Sequence, residues 1–345
     1  MLINIMGFLV SYVFCLIITP LISKLALKLN AVDIPDHRKV HVKPMPRLGG
    51  LGVYLAFIIG LIVIGFPIMS NIQVILGATL IVILGILDDI YILKPYQKLI
   101  IQFVAALVVV YGHVSVDFLY LPFIGTVDLS VSIIPITVLW IIGITNSINL
   151  IDGLDGLASG ISFIIVFVFV ILAIINQQDT ILMLSFVLLG SILGFLYHNF
   201  FPARIFLGDS GSLFLGFMVS VISLMGLYKT VTVSSLFLPV IILGLPLMDT
   251  FLAIFRRLKK HQSVMAPDKE HLHHQLIKFG LSHRKAVLLM YMLSATFGIV
   301  AIIFSKAILW GTLLFSLLVI FISHYFYNYN FNKIIHFLNR KYNKT

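Results

Sequence analysis

Hydrophobic residues fill this chain in long uninterrupted runs rather than in the alternation of a half-buried strand or the stripe of a surface helix. Short polar segments separate the runs. A helix that crosses a bilayer needs about 20 mostly apolar residues. The pattern predicts eleven such helices, at about 2–23, 49–69, 72–90, 98–114, 129–149, 159–176, 180–199, 211–228, 234–255, 286–304 and 307–328. The first run lacks a small-residue cleavage site and is read as a retained helix. The expected fold class is all-α: a polytopic integral membrane helical bundle forming one membrane-embedded domain over 1–345.

Composition agrees with this pattern. Of 345 residues, 60% are hydrophobic and only 10% charged, where soluble proteins carry about 25% charged residues. Collagen-like, disordered and disulfide-rich classes are excluded, and the single cysteine, Cys15, has no partner for a disulfide or a cysteine metal site.

Charge sets an orientation. Basic residues collect in cytoplasmic loops, and 21 of the 23 Lys and Arg fall on one side of the predicted bundle, in loops 24–48, 91–98, 200–210 and 256–285 and in the tail 329–345. Only Lys229 and Lys306 fall on the other. An odd number of spans then puts the N-terminus outside and the C-terminus in the cytoplasm. Ten of the 13 acidic residues share the basic side. Positive-inside bias does not account for aspartates there, so these carry the search for chemistry.

Asp88 and Asp89 end the third run in GILDDIYILKPYQK. Acidic groups are unfavourable at a helix C-terminus, so the pair calls for a cation, either a divalent metal or a lysine such as Lys94 or Lys98. In NSINLIDGLDGLASG, Asn146, Asn149, Asp152 and Asp155 recur every third residue, and Gly153 and Gly156 predict that the helix breaks into a tight turn near Asp152, in loop 150–158. In RIFLGDSGSLFLG, Gly208, Asp209 and Ser210 open a helix whose unpaired N–H groups can receive phosphate while Asp209 holds the accompanying cation. This segment lacks the Gly-Lys-Ser/Thr ending of a nucleotide-binding P-loop, so ATP hydrolysis has no support.

Two basic loops complete the set. The 256–285 loop carries Arg256 and Arg257 as phosphate clamps or membrane anchors, and His271, His273 and His274, the first and last sharing a helical face. With no HExxH pattern and eight bases in the loop, anion binding is preferred over zinc. The segment DIPDHRKVHVKPMPRLGG, with Lys39 and Arg47, is stiffened by prolines into an extended basic path. Asp and Asn oxygens suit Mg²⁺ or Mn²⁺ shared with substrate phosphates. A soluble phosphorylated donor and a membrane-bound acceptor would meet at such a face.

These motifs resemble the polyprenyl-phosphate N-acetylhexosamine-1-phosphate transferases. The resemblance runs over about residues 33–285 and rests on the 33–50 segment, the GxxDDxxxLxP pattern at Asp88-Asp89, NxxNxxDGxDGL at 146–157, PARIFLGDSGS at 202–212 and HLHH at 271–274. It implies transfer of a sugar 1-phosphate from a UDP-sugar to undecaprenyl phosphate, with release of UMP and with Mg²⁺ or Mn²⁺ as cofactor. Carried across by motif, Asp209 matches the metal ligand, with Asp88 a second metal candidate. Asp88, Asp89, Asp152 and Asp155 match the catalytic carboxylates, Asn149 the nucleotide-proximal set, and His271, His273 and His274 the histidine motif. Lys39, Arg47, Asn146, Asn149, Arg204, Gly208, Ser210, Arg256 and Arg257 are the expected substrate contacts with those histidines.

His-Leu-His-His-Gln departs from the histidine run of the muramoyl-pentapeptide enzymes and is similar to the UDP-N-acetylglucosamine branch, in wording most like the initiating enzymes of wall teichoic acid synthesis in Gram-positive bacteria. Peptidoglycan and O-antigen roles are the alternatives. The expected partners are UDP-N-acetylglucosamine, undecaprenyl phosphate and membrane lipid at the bacterial plasma membrane, with no nucleic acid and with a homodimer open. A cation-coupled transporter would also place aspartates in a bundle, but near the bilayer midplane and with internal repeats. Here they line one face and no repeat is present. A lipid-phosphate hydrolase or a binding protein is the remaining alternative class.

Overall fold

The computed structural model describes residues 1–34, 44–112, 118–121, 125–128, 132–227, 234–263 and 270–306, together with 114, 314 and 316–318. The chain is a polytopic helical membrane protein. Its helices are α1 (Leu2–Lys28), α2 (Gly49–Val63), α3 (Ile72–Tyr91), α4 (Pro95–Tyr111), α5 (Ile133–Ile151), α6 (Leu157–Ile175), α7 (Asp179–Asn199), α8 (Gly208–Leu227), α9 (Ser234–Ile242), α10 (Gly244–Lys259), α11 (Leu272–Lys278) and α12 (His283–Lys306). Strands β1 (Val32–Asp33) and β2 (Met45–Pro46) pair antiparallel, as do β3 (Phe118–Leu121) and β4 (Gly125–Asp128).

Among the described residues seven helices are long and apolar enough to cross a membrane, and Gly49–Val63 and Pro95–Tyr111 are shorter apolar helices. The count of eleven is not reached here for two reasons. The run at 307–328 lies largely outside the described residues. The run at 234–255 is divided into α9 and α10. Pro246 causes that division: it has no N–H for the carbonyl of Ile242, where α9 ends, and its ring would collide with that carbonyl in a continuous helix.

α8 is the axis of the bundle. Of its apolar window 89% is buried, against 28% for α1 at the periphery. It packs on α3, α5 and α2, and small residues allow close approach, as is usual where apolar burial between helices is not the driving force. A Cβ on Gly85 of α3 would lie 2.3 Å from the Ser210 Cα, one on Gly50 of α2 would lie 2.0 Å from the Gly211 nitrogen, and one on Gly216 would lie 2.7 Å from the Thr145 Cα. Thr145 and Ser147 donate back along their own helix, to Ile141 O and Gly143 O, so the polarity of these two hydroxyls is satisfied without water. Gly50 and Gly85 meet the first turn of α8, which brings the start of α2 and the end of α3 to one point.

Candidate active site

Four helix ends and two loops enclose a cavity of about 560 Å³, whose lining includes Asp33, Arg47, Asn149, Asp152, Asp155, Gly208, Asp209, His274 and His283. The pairing of β1 with β2 brings Asp33 and Arg47 to it, and the Arg47 N–H donates to Ala31 O at 3.0 Å. α5 stops at Ile151 and α6 begins at Leu157, with Gly156 at φ +75°, so the glycine-rich break expected near Asp152 is present. Asp152 and Asp155 both reach the cavity through that turn.

The adjacent carboxylates Asp88 and Asp89 diverge. Lys98, one turn into α4, pairs with Asp88 and lies 2.7 Å from Asp209 Oδ2, so of the cations considered from sequence a lysine occupies this position. Asp88 Oδ1 also accepts from Leu93 N–H at 2.7 Å, closing the turn after α3. Asp89 points the other way. Its two oxygens accept the N–H groups of Asp209 at 2.9 Å and Ser210 at 3.0 Å, and Arg47 lies 3.5 Å away. The positive end of α8 stabilises the buried charge. This corrects the expectation that the Gly208–Ser210 turn offers free N–H groups to phosphate: two of them already hold Asp89, and Ser210 is fully buried. Gly208 itself lines the cavity at φ +71°, where a Cβ would lie 1.8 Å from Arg47 O.

Acid outweighs base at this end. Arg47 lies 3.7 Å from Asp209 as well as beside Asp89. Burial draws its guanidinium down, but Asp89, Asp209, Asp33 and Asp152 together hold it above its ordinary value. Burial, and then Asp209, push Asp152 up to about 8. A carboxylate whose pKa is raised by burial and then by acidic neighbours marks a place short of positive charge. Oxygen donors of this kind suit a hard divalent cation, and Asp209 and Asp152, which line the cavity together with Asp33 and Asp155, could hold it. Among the described residues no three acidic, histidine or cysteine side chains form a ready-made cage; Mg²⁺ commonly completes its shell with water and substrate phosphate.

Not every residue expected from sequence meets the cavity. Asn146 turns away and pairs with Gln102 of α4, donating to its Oε1 at 2.7 Å, because an amide inside a bundle needs hydrogen-bond partners there. Asn149, one turn later, lines the cavity and donates to Ser212 Oγ at 2.8 Å. Arg204 is exposed and Arg256 and Arg257 are on α10, none of them in the lining; Arg256 lies 3.8 Å from Glu270. Lys39 lies outside the described residues.

The histidines do not act as a set on one face. His271 precedes α11 in extended conformation, whereas His274, within α11, lines the cavity. His273 is buried beneath Gly153, where a Cβ would lie 2.3 Å from its Nε2. Burial and then His274 press its pKa down to about 3, so it is neutral. His283, at the start of α12, accepts the Asp155 N–H at 2.9 Å and stacks on Phe201, with ring centroids 4.6 Å apart. Asp155 Oδ2 accepts the Ala203 N–H at 3.0 Å. Asp33 opens the DIPDHRKVHVKPMPRLGG segment and His283 lies in the 256–285 loop, yet neither is among the expected site residues, and Asp249 lies within an apolar run where no spacing distinguishes it.

A family model for glycosyl transferase family 4 matches residues 71–227. The chain is 47% identical over 320 residues to a probable undecaprenyl-phosphate N-acetylglucosaminyl 1-phosphate transferase of Bacillus subtilis, covering 92% of this chain and 88% of the relative. The chain belongs to glycosyl transferase family 4. It is also 37% identical over 305 residues to a decaprenyl-phosphate N-acetylglucosaminephosphotransferase of Mycobacterium leprae, covering 79% of this chain and 77% of that one. With a phospho-N-acetylmuramoyl-pentapeptide-transferase of Clostridium botulinum it shares 31% over 301 residues, 82% of this chain and 89% of the relative. The family match spans α3 to α8, the helices that carry Asp88, Asp89, Asn149 and Asp209. The histidine wall of this glycosyl transferase, on α11 and the start of α12, lies outside it.

Proposed function

We propose that this transferase moves N-acetylglucosamine 1-phosphate from UDP-N-acetylglucosamine to undecaprenyl phosphate. An acceptor phosphate oxygen bonds to the donor β-phosphorus, the bond from that phosphorus to the bridging oxygen breaks, and UMP leaves with the electron pair. The observation that carries this reading is one cavity in which Arg47, Asp209 and Asp152 converge at helix ends, in a chain 47% identical to a relative named for that transfer. The concentration of 21 of the 23 bases in the loops on one side favours the cytoplasmic face of the plasma membrane for this cavity, where UDP-sugars are available. The product serves a cell-wall polymer, with wall teichoic acid the reading that the motif wording supports.

Arg47 and Lys98 present positive charge to the pyrophosphate, and Asp89 holds Arg47 at the mouth of α8. Asp209 and Asp152 would hold Mg²⁺ or Mn²⁺. Such an ion neutralises charge that develops on the phosphoryl oxygens. Asp88, tied to Lys98 and to the Leu93 N–H, would take any proton that the acceptor phosphate carries. Asp155, on the same turn as Asp152, is fixed by Ala203 and His283.

The test is the protein purified in detergent with undecaprenyl phosphate, Mg²⁺ and a panel of UDP-sugars. UMP release that requires both lipid and UDP-N-acetylglucosamine is expected. Release without lipid would identify a hydrolase instead, and release with UDP-N-acetylmuramoyl-pentapeptide alone would reassign the donor.

A further inference from the structure

Asp249 of α10 is 2% exposed and does not line the cavity. Its carboxylate spends both oxygens on α11. Oδ1 accepts the Leu272 N–H at 2.9 Å, in the helix's first turn, and Oδ2 meets His271 Nδ1 at 2.9 Å. A carboxylate can only accept, so the imidazole N–H donates to it. The contact joins residues 22 positions apart and ties α10 to α11.

What it ties down is a wall of the cavity. His274 and Ile277, on α11, line that cavity together with Asp209 and Arg47. The ring of His271 lies parallel to that of His273, with centroids 5.9 Å apart, and His273 lies 4.1 Å from His274. A row of imidazoles therefore runs from the buried carboxylate to the cavity surface. His273 is 1% exposed with no hydrogen-bond partner at either ring nitrogen; packing against Gly153 and the rings on either side fixes it. α11 has only seven residues, too few to be stable alone. Its first turn is held by Asp249 and its body by the burial of Leu272, His273 and Leu276.

We propose that Asp249 is a positioning residue for donor binding: through His271 and the Leu272 N–H it sets the orientation of α11, and with it the His274–Ile277 surface that faces the bound UDP-sugar. This rests on UDP-N-acetylglucosamine being the donor, as proposed for the function. Removal of a carboxylate that orients a metal-ligating histidine costs about 10–100-fold in affinity; a loss at the lower end of that range is expected here, and it falls on binding rather than on the bond-breaking step.

The experiment measures UDP-N-acetylglucosamine affinity by calorimetry on the full chain in detergent with Mg²⁺ and no acceptor, alongside steady-state UMP release. Asp249→Asn keeps an acceptor for Leu272 and withdraws the one facing His271. It is expected to weaken UDP-N-acetylglucosamine binding and raise its KM about tenfold, with kcat within about threefold of wild type. Asp249→Ala and His271→Ala are expected to weaken binding each by a similar factor and, combined, by no more than the larger of the two. That cycle separates positioning from a general loss of fold even where a single variant melts early. Binding unchanged within about twofold in Asp249→Asn, a fall in kcat at constant KM, or independent losses that multiply in the double variant would each overturn the proposal. Wild-type protein that fails to bind UDP-N-acetylglucosamine would overturn the donor reading and this proposal with it.

Discussion

Asp89 and Asp249 perform the same local task at different walls of one cavity. Each is a buried carboxylate that accepts backbone N–H from the first turn of a helix, α8 for Asp89 and α11 for Asp249. They differ in the helix that each one starts. α8 has 20 residues and runs through the centre of the bundle, gripped by Gly50 and Gly85, whereas α11 has seven residues and sits at the rim. They also differ in their second partner, since Asp89 faces Arg47 and Asp249 faces a histidine. The same device anchors the fold in one case and trims a binding surface in the other.

The comparison breaks first at Asp89. Asp89→Ala leaves two N–H groups of α8 and Arg47 without their acceptor, and removal of one member of such a buried arrangement costs about 3–5 kcal/mol. Thermal melts in detergent are expected to show a large drop, with UMP release lost. Asp249→Asn should melt close to wild type; an equal drop in both would erase the distinction between the walls.

Lys98→Met is the next largest effect. It leaves Asp88 and Asp209 facing each other without the ammonium they share, and loss of a preorganised charge at a phosphoryl-transfer site costs about 100-fold in kcat. Added Mg²⁺ should raise the melting temperature of this variant more than that of wild type, because an ion that binds only the folded state stabilises it by mass action. Identical Mg²⁺ responses would put the ion away from Asp209.

Acidity provides a smaller effect. Burial and then Asp209 raise the Asp152 pKa from its ordinary value of 3.8 to about 8. The folded protein thus binds this proton more tightly than the unfolded chain does. The contribution to stability is complete below about pH 4 and is lost as the pH rises through about 8. In EDTA, wild type should lose stability from about pH 5 to 8 more steeply than Asp152→Asn, a difference read from melting temperatures across that range. Parallel curves would show that Asp152 is not the group involved.

The smallest effects belong to residues that the cavity leaves out. Asn146→Ala should lower stability by about 1 kcal/mol through the Gln102 pair while UMP release stays within severalfold. Arg204→Ala, at an exposed position, should be indistinguishable from wild type in both assays.

Most of the fold is legible in the chain because a bilayer leaves a helix little choice: apolar runs of sufficient length give α1, α3 and α5 to α8 nearly at their predicted bounds. The run at 234–255 gives no sign of being two helices, because hydropathy is insensitive to Pro246 and its missing hydrogen bond. The aspartates are legible because ionisable groups at membrane depth are costly without a task, and Asp152, Asp155 and Asp209 all face the cavity. Asn146 carries the same spacing signal as Asn149, yet only the direction of each side chain on α5, and the presence of Gln102 opposite, separates a bundle contact from a cavity residue. Asp249 carries no signal, since its partners lie 22 and 23 residues away.

The membrane class, the clustering of acid and base on one side, the break at Asp152 and the demand of Asp88-Asp89 for a cation are already written in the order of the residues. Solvation, the helix dipole and the conformational freedom of glycine impose them, and these act within a turn or two of chain. Packing between distant segments settles the rest: which carboxylate meets a lysine and which a helix terminus, which histidine reaches the cavity, and that the Gly-Ser turn of α8 is closed by Asp89 rather than left open to phosphate. Those outcomes depend on which helix ends the bundle brings together, and a buried charge takes whatever donor that packing supplies.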